Sequence, residues 1–146
     1  MDVSYSEYKN WMFNDVMGLI TTFATYASNH NLLATEPEHF KDLINLSRYS
    51  SLYMVVDNRV VGALCGIKAS STMSREEIWQ ELLYYVTPEY RLKSRELYKN
   101  FEAYIKDKGF KTLVFGAVED ENIEKMTRLY KQMGYKTTER IYTKKI

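Results

Sequence analysis

Apolar side chains recur at helical spacing in four stretches of this chain and alternate or run together in several others. Between Asn10 and Asn29, Trp11, Phe13, Val16, Met17, Ile20, Phe23 and Ala24 fall on one face of a helix, which the turn-formers Asn29-His30-Asn31 close. Thr35-Glu36-Pro37-Glu38 reads as a second helix start, with Thr35 as cap, proline in the first turn and acids near the positive end. A third helix is headed by Ser94, a good N-cap, and carries Leu97, Phe101, Tyr104 and Ile105 as its apolar stripe up to Gly109. The fourth places Ile123, Met126, Tyr130 and Met133 on one face and stops at Gly134.

The remaining apolar positions predict strands. Residues 2–9 alternate weakly through Val3, Tyr5 and Glu7. Leu52–Val56, Asp57-Asn58 and Arg59–Ile67 spell a hairpin on a tight two-residue turn, and Gly62 and Gly66 mark a bulge or a close backbone approach in its second arm. Ala69 to Glu76 is polar and reads as a loop. The apolar run Leu82–Val86, which Glu81 opens, suits a buried strand, and Thr87-Pro88 stops it because proline has no N–H for a ladder. Lys111–Val118 and Tyr135–Ile146 complete the set, the last long enough to bend or to pair with a second copy in a homodimer. Helices and strands in this order predict an α+β or α/β fold with a mixed sheet, as one domain over residues 1–146.

Composition narrows the function classes. A net charge of +1 gives no basic face for nucleic acid. No apolar run approaches membrane-spanning length, and MDVSYSEYKN lacks the features of a signal peptide, so a cytoplasmic protein is expected. A single cysteine, Cys65, excludes an internal disulfide and a cysteine-based zinc site; no metal site is expected, and Cys65 reads as a small buried hydrophobe. His39 reads as a structural histidine in the second helix, with substrate contact as the alternative; His30, in a turn, is weaker still.

Charge is unevenly placed, and this points to chemistry. Residues 91–111 are basic, whereas 119–124 (EDENIE) are acidic. A strand, a basic turn (Tyr90-Arg91-Leu92-Lys93) and a helix start together form an anion site, because the first helical turn has unpaired N–H groups and partial positive charge. Arg91, Lys93 and Arg95 add side-chain cations suited to a pyrophosphate.

The residues VTPEYR at 86–91 resemble the "V-x-P-x-x-R" run that ends the fourth strand of the GNAT acetyltransferases, enzymes that use acetyl-CoA. The segment 122–145 resembles that family's closing block, with Leu129-Tyr130 and Gly134-Tyr135 in the spacing "L-Y-x-x-x-G-F/Y". Together with Val60-Val61-Gly62 as the third strand, the resemblance covers residues 50–146. It departs at the pyrophosphate turn, which is shorter than the family's and holds no glycine; Leu92 and Ser94 stand where small residues are expected. The resemblance implies a mainly antiparallel sheet of about six strands flanked by about four helices, with acetyl-CoA as co-substrate and an amine as acceptor. It assigns Tyr85, Val86, Arg91, Leu92, Lys93, Ser94 and Arg95 to the cofactor, with Asn122 against its pantetheine arm.

Acetyl transfer to an amine needs a neutral nucleophile, a polarised carbonyl and a stabilised leaving thiol. A lysine-like amine of pKa about 10.4 costs about 4–5 kcal/mol to deprotonate at neutral pH. Two readings are open for Glu81: the base that takes this proton, usually through water, as the resemblance implies, or a solvent-facing carboxylate at a sheet edge. Tyr130 is likewise either the acid that meets the leaving sulfur or part of its helix's packing stripe. A backbone N–H near Val86 would receive the developing oxyanion. An alternative to the enzyme is a non-catalytic interaction module that keeps the fold and has lost or altered CoA binding.

Overall fold

A computed structural model of the chain describes residues 2–28 and 36–146. The turn expected at Asn29-His30-Asn31 and the Thr35 cap lie outside these residues. The elements are β1 (Val3–Ser6), α1 (Phe13–Ser28), α2 (Pro37–Ser47), β2 (Leu52–Val56), β3 (Arg59–Ser70), β4 (Glu77–Val86), α3 (Ser94–Asp107), β5 (Leu113–Val114) and α4 (Ile123–Gln132). Short 3-10 turns, Asn10–Met12 and Pro88–Lys93, precede α1 and α3.

The strands form one five-stranded sheet in the order β1-β2-β3-β4-β5. Every neighbour is antiparallel except β5, which lies parallel to β4. β2 is buried along its whole length and feeds two cores through its pleat. Leu52, Met54 and Val56 face α3, where they meet Leu97, Phe101 and Ile105. Tyr53 and Val55 face the other way, toward Met12, Val16 and Leu19 of the first helical segment and Ile44 of α2. No side chain beyond Ile105 is fully buried; Phe110, Leu113, Phe115, Met133 and Tyr135 are partly buried against the α3-side core.

The β2–β3 hairpin turns as expected: Asp57 and Asn58 both take positive φ, 49° and 60°, the conformation of a tight I′ turn. Gly66 is a site of close approach, since a Cβ there would lie 2.2 Å from the Trp79 ring. Beside it Cys65 pairs with Leu83 but Gly66 with Glu81, so Leu82 is the extra residue of a bulge in β4. That bulge explains why Trp79 and Leu83, both buried, belong to cores on opposite faces of the sheet.

Five expectations change. β3 runs on through Ala69 and Ser70, which were expected in the loop, because they pair with Ile78 and Glu77. β4 begins at Glu77, so Glu81 lies within the strand; Ile78 and Trp79 extend the ladder opposite Ala69 and Lys68, and a Lys68–Glu77 ion pair of 3.0 Å sits at the tip. β5 pairs over Leu113–Val114 alone instead of Lys111–Val118, because the Gly116 N–H turns to the Glu81 carboxylate. Ser94 is the first residue of α3 and not its cap: the 3-10 turn runs straight into the helix, and Ser94 N–H bonds to the Arg91 carbonyl. Tyr135–Ile146 forms no strand, as β-prone residues need a neighbouring edge and β5 leaves the ladder after Val114. The sheet therefore has five strands where six were expected.

Candidate active site

The site is built on the half of β4 that β5 leaves uncovered. β5 pairs only with Trp79 and Gln80, so from Glu81 onward the outer edge of β4 has no strand partner among the described residues. The orientation of that edge follows from one bond. Thr87 N–H donates to the Val61 carbonyl at 2.8 Å, which directs Thr87 toward β3. Successive strand residues point their N–H and C=O to opposite edges, so Val86 presents its own to the open side. Arg91 Nε donates to the Val86 carbonyl at 3.2 Å, and its guanidinium lies 5.7 Å from the Tyr85 ring centroid. Arg91 is thus committed to the end of β4 as much as to any ligand.

Glu81 sits at the start of the uncovered stretch, beside the bulge. The Gly116 N–H donates to its Oε1 at 3.0 Å. Burial lifts the carboxyl to about 7, and the Gly116 bond opposes only part of that rise. Glu81 is thus partly buried within β4, with its carboxylate bonded to Gly116.

Tyr130 reaches the same place from α4. Its ring centroid is 5.6 Å from that of Phe115 and 5.5 Å from that of Tyr135. Burial, then the charges of Glu81, Tyr84 and Tyr135, hold its hydroxyl above the ordinary tyrosine range. Glu81 and Tyr130 are therefore electrostatic neighbours despite their separation in sequence. The end of α4 fixes Tyr135 relative to Tyr130 through a Schellman motif: Tyr135 N–H donates to the Tyr130 carbonyl at 3.0 Å, Gly134 N–H to the Lys131 carbonyl at 3.0 Å, and Gly134 takes φ of 95°. Tyr135 also shares a 2.6 Å hydroxyl–hydroxyl bond with Tyr98 of α3.

The basic turn occupies the far end of the open edge. Arg91, Leu92, Lys93 and Arg95 are exposed, Leu92 completely; Lys93 Nζ lies 3.7 Å from the Glu96 carboxylate. Ser94 is half-buried and bonded to Tyr84: the Tyr84 hydroxyl donates to the Ser94 carbonyl at 2.7 Å and accepts from Ser94 Oγ at 2.9 Å. Asn122 stands exposed before α4, its N–H donating to Asp120 Oδ1 at 2.8 Å. In the acidic segment Glu119 pairs with Arg140, and Asp120 accepts from the Tyr26 hydroxyl. Outside the site, His39 is exposed 3.7 Å from Asp42, and Cys65 is buried with its thiol pushed up to about 11 by desolvation.

Sequence reasoning missed Gly116 and Tyr84. Gly116 was legible only as a glycine in a β-prone run, and Tyr84 as one of several strand aromatics. The bulge that sets their partners leaves no sequence mark of its own.

An open, mixed sheet whose fourth and fifth strands run parallel and part after two residue pairs, with α3 following the fourth, is a fold that this chain shares with solved acetyltransferase structures. Among solved structures, the chain is similar over its full length to a ribosomal-protein-alanine N-acetyltransferase from Brucella melitensis biovar Abortus 2308, with TM-score 0.74, 15% identity and 100% of both chains covered. It is also similar to Ard1 from Thermoplasma volcanium, with TM-score 0.69, 20% identity, and coverage of 95% of this chain and 86% of that one. A third similar structure is AAC(6')-Iy in complex with the bisubstrate analogue CoA-S-monomethyl-acetylneamine, with TM-score 0.71, 12% identity, and coverage of 100% and 99%. No protein-family model and no curated protein matches the chain by sequence. No helix among the described residues is long and apolar enough to cross a membrane.

Proposed function

We propose that this chain is an N-acetyltransferase that moves the acetyl group of acetyl-CoA to a primary amine. The observation that carries the reading is the gathering of a carboxyl lifted to about 7 and a partly buried tyrosine beside an uncovered strand edge. A similar structure binds a CoA-containing bisubstrate analogue, which supports the choice of donor.

Acetyl-CoA supplies an acetyl thioester, and the residues here suit it. The open edge of β4 offers outward N–H and C=O groups to an extended amide chain, as sheet edges do for peptides. Arg91, Lys93 and Arg95 provide cations at the end where the phosphates would lie. The Val86 N–H is the donor for charge developing on the carbonyl oxygen. Glu81, ionised above pH about 7, takes the proton that the ammonium group must lose, directly or through water. A C–N bond then forms as the C–S bond breaks; the electron pair leaves on sulfur, and the second proton of the attacking nitrogen is lost to water.

Tyr130 donates a hydrogen bond to that sulfur. Its hydroxyl holds its proton more tightly than a thiol of pKa about 8.5, so stabilising the thiolate is favoured over complete transfer to it. The similar structures include a ribosomal-protein-alanine enzyme and one holding an acetylneamine analogue, so protein and small-molecule acceptors both stay within the reading.

Isothermal titration with acetyl-CoA and desulfo-CoA, followed by an amine screen, tests it. Micromolar binding and acetyl transfer are expected. Absence of binding at millimolar ligand overturns the reading and favours the interaction module. That second reading draws on one observation: the turn's Ser94 N–H bonds to Arg91 and is not free for phosphate.

A further inference from the structure

The turn between β4 and α3 lacks the glycines that would let backbone wrap a phosphate, and its N–H groups are partly spent. Tyr90 N–H donates to the Thr87 carbonyl at 2.9 Å, and Ser94 N–H bonds to the Arg91 carbonyl. Placement of the cations Arg91, Lys93 and Arg95 then depends on what ties the start of α3 to the strand. Arg91 holds the strand end, through the Val86 carbonyl. The other tie is Tyr84. Its hydroxyl spans ten residues to reach Ser94 twice, donating to the carbonyl at 2.7 Å and accepting from Oγ at 2.9 Å.

We infer that Tyr84 is a positioning residue for the pyrophosphate end of the donor site, acting through Ser94. Ser94 Oγ is thereby a tether and not a phosphate ligand, a reassignment of the role that resemblance alone implies. The geometry is specific. Tyr84 lies two residues before Val86 on the same strand face, past the Leu82 bulge, so its ring is directed at α3 and packs 6.1 Å from Phe115. With a leucine or valine at this position the strand would still pack, but the first turn of α3 would lose its only side-chain bonds to β4 among those described. Arg95 sits close enough for its charge to act on the Tyr84 hydroxyl, so the tether and the phosphate cations are one local unit.

This rests on the acetyl-CoA reading, and the test separates the two. Dissociation constants for CoA and for pantetheine, which has no pyrophosphate, are measured by titration on wild type, Tyr84→Phe, Ser94→Ala and the double variant. Tyr84→Phe keeps the ring and removes both bonds. The ratio of the CoA to the pantetheine constant should rise about tenfold, as expected for two hydrogen bonds. Ser94→Ala should raise it about twofold to threefold, and the double variant should be no worse than Tyr84→Phe, since the Oγ bond needs the phenol. An unchanged ratio overturns the assignment, as does equal weakening of both ligands, which marks a general loss of structure. Additive effects of the two substitutions overturn the shared tether. Failure of wild type to bind CoA at all removes the acetyltransferase reading and this inference with it.

Discussion

Glu81 is the residue whose environment differs most from that of a free carboxylate, and its proton can be followed in two ways. With a value near 7, the base form accumulates as pH rises through neutrality, so turnover on an amine should climb with an inflection near 7. Glu81→Gln should lower kcat by about 10²–10⁴ and abolish that inflection; an inflection surviving in the variant would end the base assignment. The same shift has a stability consequence of definite sign. The folded carboxyl, at about 7, holds its proton more tightly than the ordinary 4.5, so this contribution is present below 4.5 and is lost as pH rises through about 7. The stability of Glu81→Gln relative to wild type should therefore increase between those limits and level above them, by up to about 3 kcal/mol. Urea melts at pH 4.5, 6 and 8 read it directly. Tyr130→Phe keeps a ring against Phe115 and Tyr135 and removes the hydroxyl. A kcat reduced about 10²-fold with little change in the KM for acetyl-CoA is expected, and wild-type turnover would show that Tyr130 only packs.

Among the elements, the register of β4 determines what faces the site. Gly66 and Trp79 make that register possible: the indole lies over the glycine and donates from Nε1 to the Ser50 carbonyl at 2.8 Å. Gly66→Ala should destabilise by about 1–3 kcal/mol, measured by denaturant melting, because the Trp79 ring must move from a fully buried place. A stability equal to wild type would mean that the strand yields there without cost. The sequence exposed much of this layer. Helical spacing and punctuation by Gly109 and Gly134, the Asp57-Asn58 turn, and a close approach at Gly66 were all legible, because each depends on local side-chain periodicity or a positive φ. The short β5 and the unpaired tail were not. A ladder needs an opposing edge, and no pattern within Lys111–Val118 says that Gly116 will give its N–H to Glu81 instead. In the site, family resemblance singled out Glu81 and Tyr130, and the fold brings them within electrostatic reach of each other. The Tyr84–Ser94 tether was not, since it depends on a bulge and on a 3-10 turn that replaces the expected cap.

For the molecule as a whole, charge is nearly balanced, at +1, so on the acetyl-CoA reading the attraction of the donor would come from Arg91, Lys93 and Arg95 and not from a global field. These groups are exposed, so CoA affinity should fall as salt rises from 0.05 to 0.5 M; affinity independent of salt would count against them. Burial is distributed just as unevenly. Among the described residues every fully buried side chain lies at or before Ile105, and α4 owns none, although it delivers Tyr130. The helix that carries Tyr130 is therefore the one that can detach at least cost. Amide hydrogen exchange should find α4 opening well below the global unfolding free energy, and α3 near it. A donor bound between the sheet and α4 would then be released by the loosest part of the fold. Departure of the spent thiol, rather than bond making, is expected to set the pace, and a burst of acetylated amine in the first turnover would reveal it.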